Sequence, residues 1–209
     1  MTDSVFFDLD GTLWDCTANS ARAWQKVISA LQEQCVPPTR EQIRACCGLT
    51  LPEITDRVLP GIPKDRALEI GTACLAAEPE IIYANGGELY PGLVETLEIL
   101  RRRYPLFVVS NCSPAYLEAF LKRHEMTAYF TETAAYGGPG KAKADNVARI
   151  ARGRGLKHPV YVGDTIMDYE AACKAGTAFV HATYGFGQVP QAQWRVDFLP
   201  ELPGVLEKM

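Results

Sequence analysis

The chain has 209 residues, of which 47% are hydrophobic and 22% charged, and its formal net charge is -4. Such a balance suits an ordinary globular protein, with length for one large domain or for a core carrying a smaller insert. It argues against nucleic-acid binding, because the longest basic run is Arg101, Arg102 and Arg103, at an expected helix end where cations suit the dipole; and no run of about 18 apolar residues offers a membrane-spanning helix.

The first predicted element is a short apolar strand, VFFD at 5–8. From about residue 17 to 86 the pattern turns helical. Trp24, Val27, Ile28 and Leu31 form one stripe, and Ile43, Ile54, Val58, Leu68, Ile70, Leu75, Ile81 and Ile82 fall in further helix-like stretches punctuated by prolines. No strand is expected there, and NGGELYPG at 85–92 reads as a return linker. A helix follows over GLVETLEILRRR, then a strand over LFVVSN at 106–111. Ser113 is the expected N-cap, with Pro114 at the first helical position, of a helix through Tyr116, Leu117, Phe120 and Leu121. AYFTET at 128–133 is a weaker strand candidate. A helix through Val147, Ile150 and Ala151 precedes a strand, VYVGD at 160–164. A helix through Ala171, Ala172 and Ala175 stops at Gly176, and AFVH at 178–181 is a last strand.

Short continuous apolar runs suit strands buried on both faces, and their alternation with helices predicts an α/β fold with a doubly wound, mostly parallel sheet. The expected division is a core of residues 1–16 and 87–209 with an all-α insert over 17–86.

In such sheets, ligands bind beyond the carboxyl ends of the strands. There the sequence places Asp8 and Asp10, Ser110 and Asn111, Lys141 or Lys143 at a helix start, and Asp164 with Asp168. Clustered carboxylates repel one another and call for a hard cation, for which Mg²⁺ is the fitting choice. A carboxylate held ionised beside that ion can attack phosphorus, a second acid two residues on can move protons, and Ser110 and Asn111 can bond phosphoryl oxygens.

DLDGTLWD, VVSN, the lysine of GKAKADN and GDTIMD together resemble the four ordered motifs of the haloacid dehalogenase-like hydrolases, over residues 8 to 168. The helical insert resembles the small cap of phosphoglycolate-phosphatase-like members, on a Rossmann-like core. The resemblance implies Asp8 as nucleophile and Asp10 as general acid/base. It implies Asp8, the backbone carbonyl of Asp10 and Asp164 around Mg²⁺, with Asp168 as a ligand or just behind the ligands. Thr12, Ser110 and Asn111 would bind substrate. Neither candidate lysine is followed by the proline common in the third motif; Lys143 is favoured because it directly precedes the helix, and Lys141 is its rival. The acid at position 10 points to phosphoryl rather than carbon–halogen chemistry, on a small phosphorylated metabolite. A phosphosugar mutase of the same family and a phospho-aspartate regulatory module are the alternatives.

Structural roles compete at several positions. Asp15 is read as a hinge or helix-cap acid, Asn111 and Asp168 also fit helix starts, and Trp24 fits the core of the insert. Gly48 and Thr50 fall where the resemblance lets a cap loop reach the site. The seven cysteines are odd in number and match no zinc spacing, so they are expected to be reduced thiols in a cytoplasmic protein. The N-terminus lacks the basic segment and long apolar run of a signal peptide.

Overall fold

The computed structural model describes residues 1–31, 35–136 and 142–209. Strand β1 (Ser4–Phe7) is followed by β2 (Trp14–Asp15), and then by helices α1 (Thr17–Ser29), α2 (Arg40–Arg44), α3 (Leu51–Val58) and α4 (Lys64–Asn85). Next come β3 (Glu88–Leu89), α5 (Leu93–Arg101), β4 (Leu106–Val109), α6 (Pro114–Arg123) and β5 (Glu132–Ala134). The chain ends with α7 (Lys143–Arg154), β6 (Pro159–Gly163), α8 (Ile166–Ala175), β7 (Ala178–Ala182), β8 (Trp194–Val196) and α9 (Leu202–Leu206).

Six strands form one sheet in the order β5-β4-β1-β6-β7-β8, and every neighbouring pair is parallel. The chain runs outward from β1 through β4 to β5, then returns to the other side of β1 for β6, β7 and β8. The strand order therefore reverses at β1, where a crevice opens at the carboxyl ends of β4, β1 and β6. Helices cover both faces. Val5 and Phe7 join Val108, Val160 and Val162 in one cluster with α5, α6 and α9. Phe6 joins Phe107, Val109 and Tyr161 in the other, against α7 and α8. Alternate residues of one uninterrupted apolar run thus feed two cores, which is why the run shows no polar alternation.

Helices α1 to α4 pack around a core of their own, built from Trp24, Ile28, Ile43, Val58, Ile70 and Cys74. The chain leaves for them and returns along a small antiparallel pair, Trp14 opposite Leu89 and Asp15 opposite Glu88. That pair corrects the reading of 85–92 as a linker without a strand. Asp15 accepts from the Thr17 N–H at 2.9 Å and pairs with Arg40 at 2.9 Å, so it braces both the start of α1 and this junction.

Two other differences concern edges. The strand expected at 128–133 begins only at Glu132, after a 3₁₀ turn at Thr127–Tyr129, and β8 was not expected. Both are outer strands with one neighbour each, so their sequences need not be apolar throughout. Ser113 caps α6, accepting from the Tyr116 N–H, and Gly176 ends α8 with φ of 73°, as expected. None of the seven cysteines is in a disulfide. Among the described residues, no helix is long and apolar enough to cross a membrane.

Candidate active site

The site is assembled at the reversal point. The β1–β6 ladder continues through Asp8, whose N–H donates to the Val162 carbonyl at 2.9 Å, so the Asp8 side chain is fixed at the end of the strand. Asp164 directly follows β6, and Asp168 lies in the first turn of α8. Carboxylate oxygens of Asp8, Asp164 and Asp168 all lie within 4.8 Å of one another, and all three residues are buried.

Lys143 opens α7 and reaches into this group. Its Nζ donates to Asp8 Oδ1 at 2.8 Å and to Asp168 Oδ1 at 2.5 Å, and only 4% of the lysine is exposed. Burial works against its charge, but Asp168 and Asp8 outweigh that and hold the ammonium well above its usual range. Lys141, the rival, lies outside the described residues. Asp168 is also the acid of a capping box: its Oδ2 accepts from the Thr165 N–H at 2.9 Å and hydroxyl at 2.6 Å. The helix start thus aims Oδ1 at the lysine.

Asp164 is completely buried. Its Oδ2 accepts from the Phe186 N–H at 2.7 Å and its Oδ1 from the Thr12 hydroxyl at 3.3 Å. Burial and the charges of Asp168 and Asp8 push its carboxyl well above the usual range. Gly11, with φ of 85°, passes so close that any Cβ there would run into the Asp164 carboxylate. Thr12 is fully buried against Asp164 and is not among the described residues lining the cavity, so its hydroxyl serves the acid rather than the open space expected to hold substrate.

Asp10 is not one of the three grouped acids. Its Oδ1 accepts from the Tyr116 hydroxyl at 2.6 Å. Burial raises its pKa to about 7, the Tyr116 hydrogen bond works in the opposite direction, and the Asp8 charge adds to the rise. Asp8 itself is raised to about 6, by burial and by Asp168, with Lys143 opposing. Two carboxyls two residues apart are therefore held differently: one beside a lysine, the other beside a phenol.

A cavity of about 270 Å³ lies over both acids. On the sheet side it is lined by Asp8, Asp10, Ser110 and Asn111, and on the helical side by Trp24, Cys47, Gly48, Thr50 and Glu78. The Asn111 amide donates to the Gly48 carbonyl at 3.0 Å, so the loop before α3 does reach the site. Trp24 is both core and lining. Cys112 also lines the cavity, but burial and the Asp10 charge push its thiol well above the usual value, which disfavours a thiolate nucleophile.

Sequence reading missed three of these groups. Tyr116 sits in the apolar stripe of α6, and its hydroxyl is the only hint of a polar task. Phe186 acts through its backbone N–H, which has no side-chain signature. Glu78 lies in a helical region whose inward face the sequence does not mark.

A parallel α/β sheet with a lysine-bridged acid cluster at its reversal point, beside a cavity also lined by the helical segment, is the arrangement of an α/β enzyme with its site at the strand ends. The haloacid dehalogenase-like hydrolase family model matches residues 5–182, and the chain belongs to that family. It is 27% identical to a phosphoglycolate phosphatase of Rhodobacter capsulatus, over 99% of this chain and 98% of that one. It is 31% identical to a phosphoglycolate phosphatase of Aliivibrio fischeri, over 87% and 84% of the two chains. The fold matches a haloacid dehalogenase-like hydrolase from Streptococcus pneumoniae with a TM-score of 0.86 at 22% identity, covering 98% of each chain.

Proposed function

We propose that this hydrolase is a Mg²⁺-dependent phosphatase that releases phosphate from a small phosphorylated metabolite through a phospho-aspartate on Asp8. The observation that carries the reading is the division of labour among the acids. Asp8, Asp164 and Asp168 gather around one point, while Asp10 stands apart on Tyr116 and lines the same cavity as Asp8. The relatives named as phosphatases support it.

Three buried carboxylates against one lysine leave uncompensated negative charge, and an all-oxygen donor set of this kind fits Mg²⁺. Asp8 and Asp164 would hold the ion, with the Asp10 carbonyl beside them and Asp168 as a further ligand or as the acid that fixes Lys143. When bound, Mg²⁺ supplies positive charge that lets a carboxylate and a phosphoryl group approach.

The side chains then account for the steps. An Asp8 oxygen attacks phosphorus, forming the aspartyl–phosphorus bond as the bond from phosphorus to the leaving oxygen breaks. Asp10, whose pKa of about 7 keeps much of it protonated near neutrality, gives its proton to that leaving oxygen. In the second step water attacks the same phosphorus, Asp10 takes its proton back, and Asp8 leaves as a carboxylate. Lys143 orients Asp8, and Ser110 and Asn111 offer hydrogen bonds to phosphoryl oxygens. Helices α1 to α4 act as the cap, keeping bulk water from the phosphoenzyme.

The test is phosphate release from p-nitrophenyl phosphate. Release that needs Mg²⁺, stops with excess chelator and is lost in Asp8→Asn is expected; undiminished release in chelator overturns the reading.

A further inference from the structure

The described residues lining the cavity on its helical side include Trp24, Ile43, Leu49, Leu51, Ile54 and Leu75, and the one acid among these helical lining residues is Glu78, on α4. No lysine, arginine or histidine occurs among the described lining residues. Glu78 is only 5% exposed. The Ser20 hydroxyl and the Trp24 indole N–H lie beside its carboxyl and favour its ionised form. Both partners are donors, so they suit an ionised carboxylate, and an indole N–H can play no other part. Yet burial opposes that ionisation and raises the pKa of Glu78 to about 8, with Asp10 adding like charge. The pocket is arranged around a carboxylate for which no cationic partner is found among the described lining residues. A buried charge of this kind is stable when paired.

We propose that Glu78 is a substrate-binding residue that selects a phosphomonoester whose leaving group carries an ammonium on a short alkyl arm: a phosphorylated amino alcohol. The ammonium completes the Glu78 hydrogen bonds and neutralises it, the apolar lining covers the arm, and the Trp24 ring adds a surface that suits cations. A substrate ending in a carboxylate meets Glu78 as a like charge, with no cation among the described lining residues to receive it. The choice therefore differs from the one printed in the names of the relatives. It rests on the phosphatase reading and specifies its substrate.

The experiment compares three phosphomonoesters of similar size: phosphoethanolamine, ethyl phosphate and phosphoglycolate, with p-nitrophenyl phosphate as the control for basal chemistry. Wild-type kcat/KM is expected to be at least tenfold higher for phosphoethanolamine than for phosphoglycolate. In Glu78→Gln, the preference for phosphoethanolamine over ethyl phosphate is expected to drop at least tenfold, with Glu78→Asp keeping part of it. A wild-type preference for phosphoglycolate, or equal losses on all esters in Glu78→Gln, overturns the proposal while leaving the phosphatase reading intact if p-nitrophenyl phosphate is still cleaved. If p-nitrophenyl phosphate is not cleaved, the phosphatase reading fails. Calorimetric binding of phosphoethanolamine and phosphoglycolate to the wild-type protein then decides the selectivity: tighter binding of the amine upholds it and tighter binding of the acid overturns it.

Discussion

The hydroxyl of Tyr116 donates to Asp10 Oδ1 at 2.6 Å, joining the first helix after β4 to the loop after β1. This contact favours the ionised form of Asp10 and so limits how far burial raises its pKa. In Tyr116→Phe that restraint goes. Hydrogen bonds to charged groups are worth about 1.5–3 kcal/mol, or roughly one to two pKa units. The alkaline limb of the pH profile of kcat/KM, where Asp10 must still be protonated, is expected to move to higher pH by about one unit. An unmoved limb separates Tyr116 from the proton-transfer step.

Asp10→Asn keeps the shape and removes the transferable proton. For alkyl phosphates kcat is expected to fall by about 10²- to 10⁴-fold. With p-nitrophenyl phosphate, whose leaving group needs no proton, the first step survives and the second, which needs a base, slows. Rapid-mixing kinetics should show a burst of nitrophenolate followed by slow turnover. Equal slowing of both steps contradicts the assigned role.

Lys143 is the charge partner of two buried acids, and Lys143→Met strands them. Loss of one member of a buried ion pair typically costs about 3–5 kcal/mol. The sign with pH follows from Asp8, whose folded pKa of about 6 already exceeds its ordinary value and rises further without the lysine. The folded variant then holds more protons than the unfolded chain, so its stability falls as pH rises from about 4 through that raised pKa. Urea unfolding without metal should show a larger deficit at pH 8 than at pH 5.

Asp164→Asn keeps one acceptor oxygen for the Phe186 N–H, turns an amide NH2 toward the Thr12 hydroxyl, which can accept, and removes one of three crowded charges. Without metal the variant is expected to melt at or above the wild-type temperature, because a costly buried charge is gone. Mg²⁺ should raise the melting temperature of the wild type and much less that of the variant, since ligand linkage scales with affinity. Equal Mg²⁺ shifts in the two proteins place the ion elsewhere.

Much of this was legible in the sequence, for identifiable reasons. Strands buried on both faces appear as unbroken apolar runs, so β1, β4, β6 and β7 stood out, and the polar residues at their ends marked the crevice. Asp8, Asp164, Asp168 and Lys143 meet because parallel strands must present the same end. What stayed hidden depends on contacts outside those runs. The pair Trp14–Leu89 and Asp15–Glu88 is two residues long and has no pattern of its own. The Phe186 N–H and the inward turn of Glu78 follow from tertiary packing. Thr12 was expected to face substrate, but the tight turn at Gly11 sends its hydroxyl to Asp164.

The most direct test of the account is an acid quench during turnover of a substrate with a radiolabelled phosphoryl group in the presence of Mg²⁺. The account predicts label on the wild-type protein, in the peptide that contains Asp8 and labile to hydroxylamine, with none on Asp8→Asn. Rapid turnover without covalent label, together with inversion of configuration at a chiral phosphorus, would contradict it.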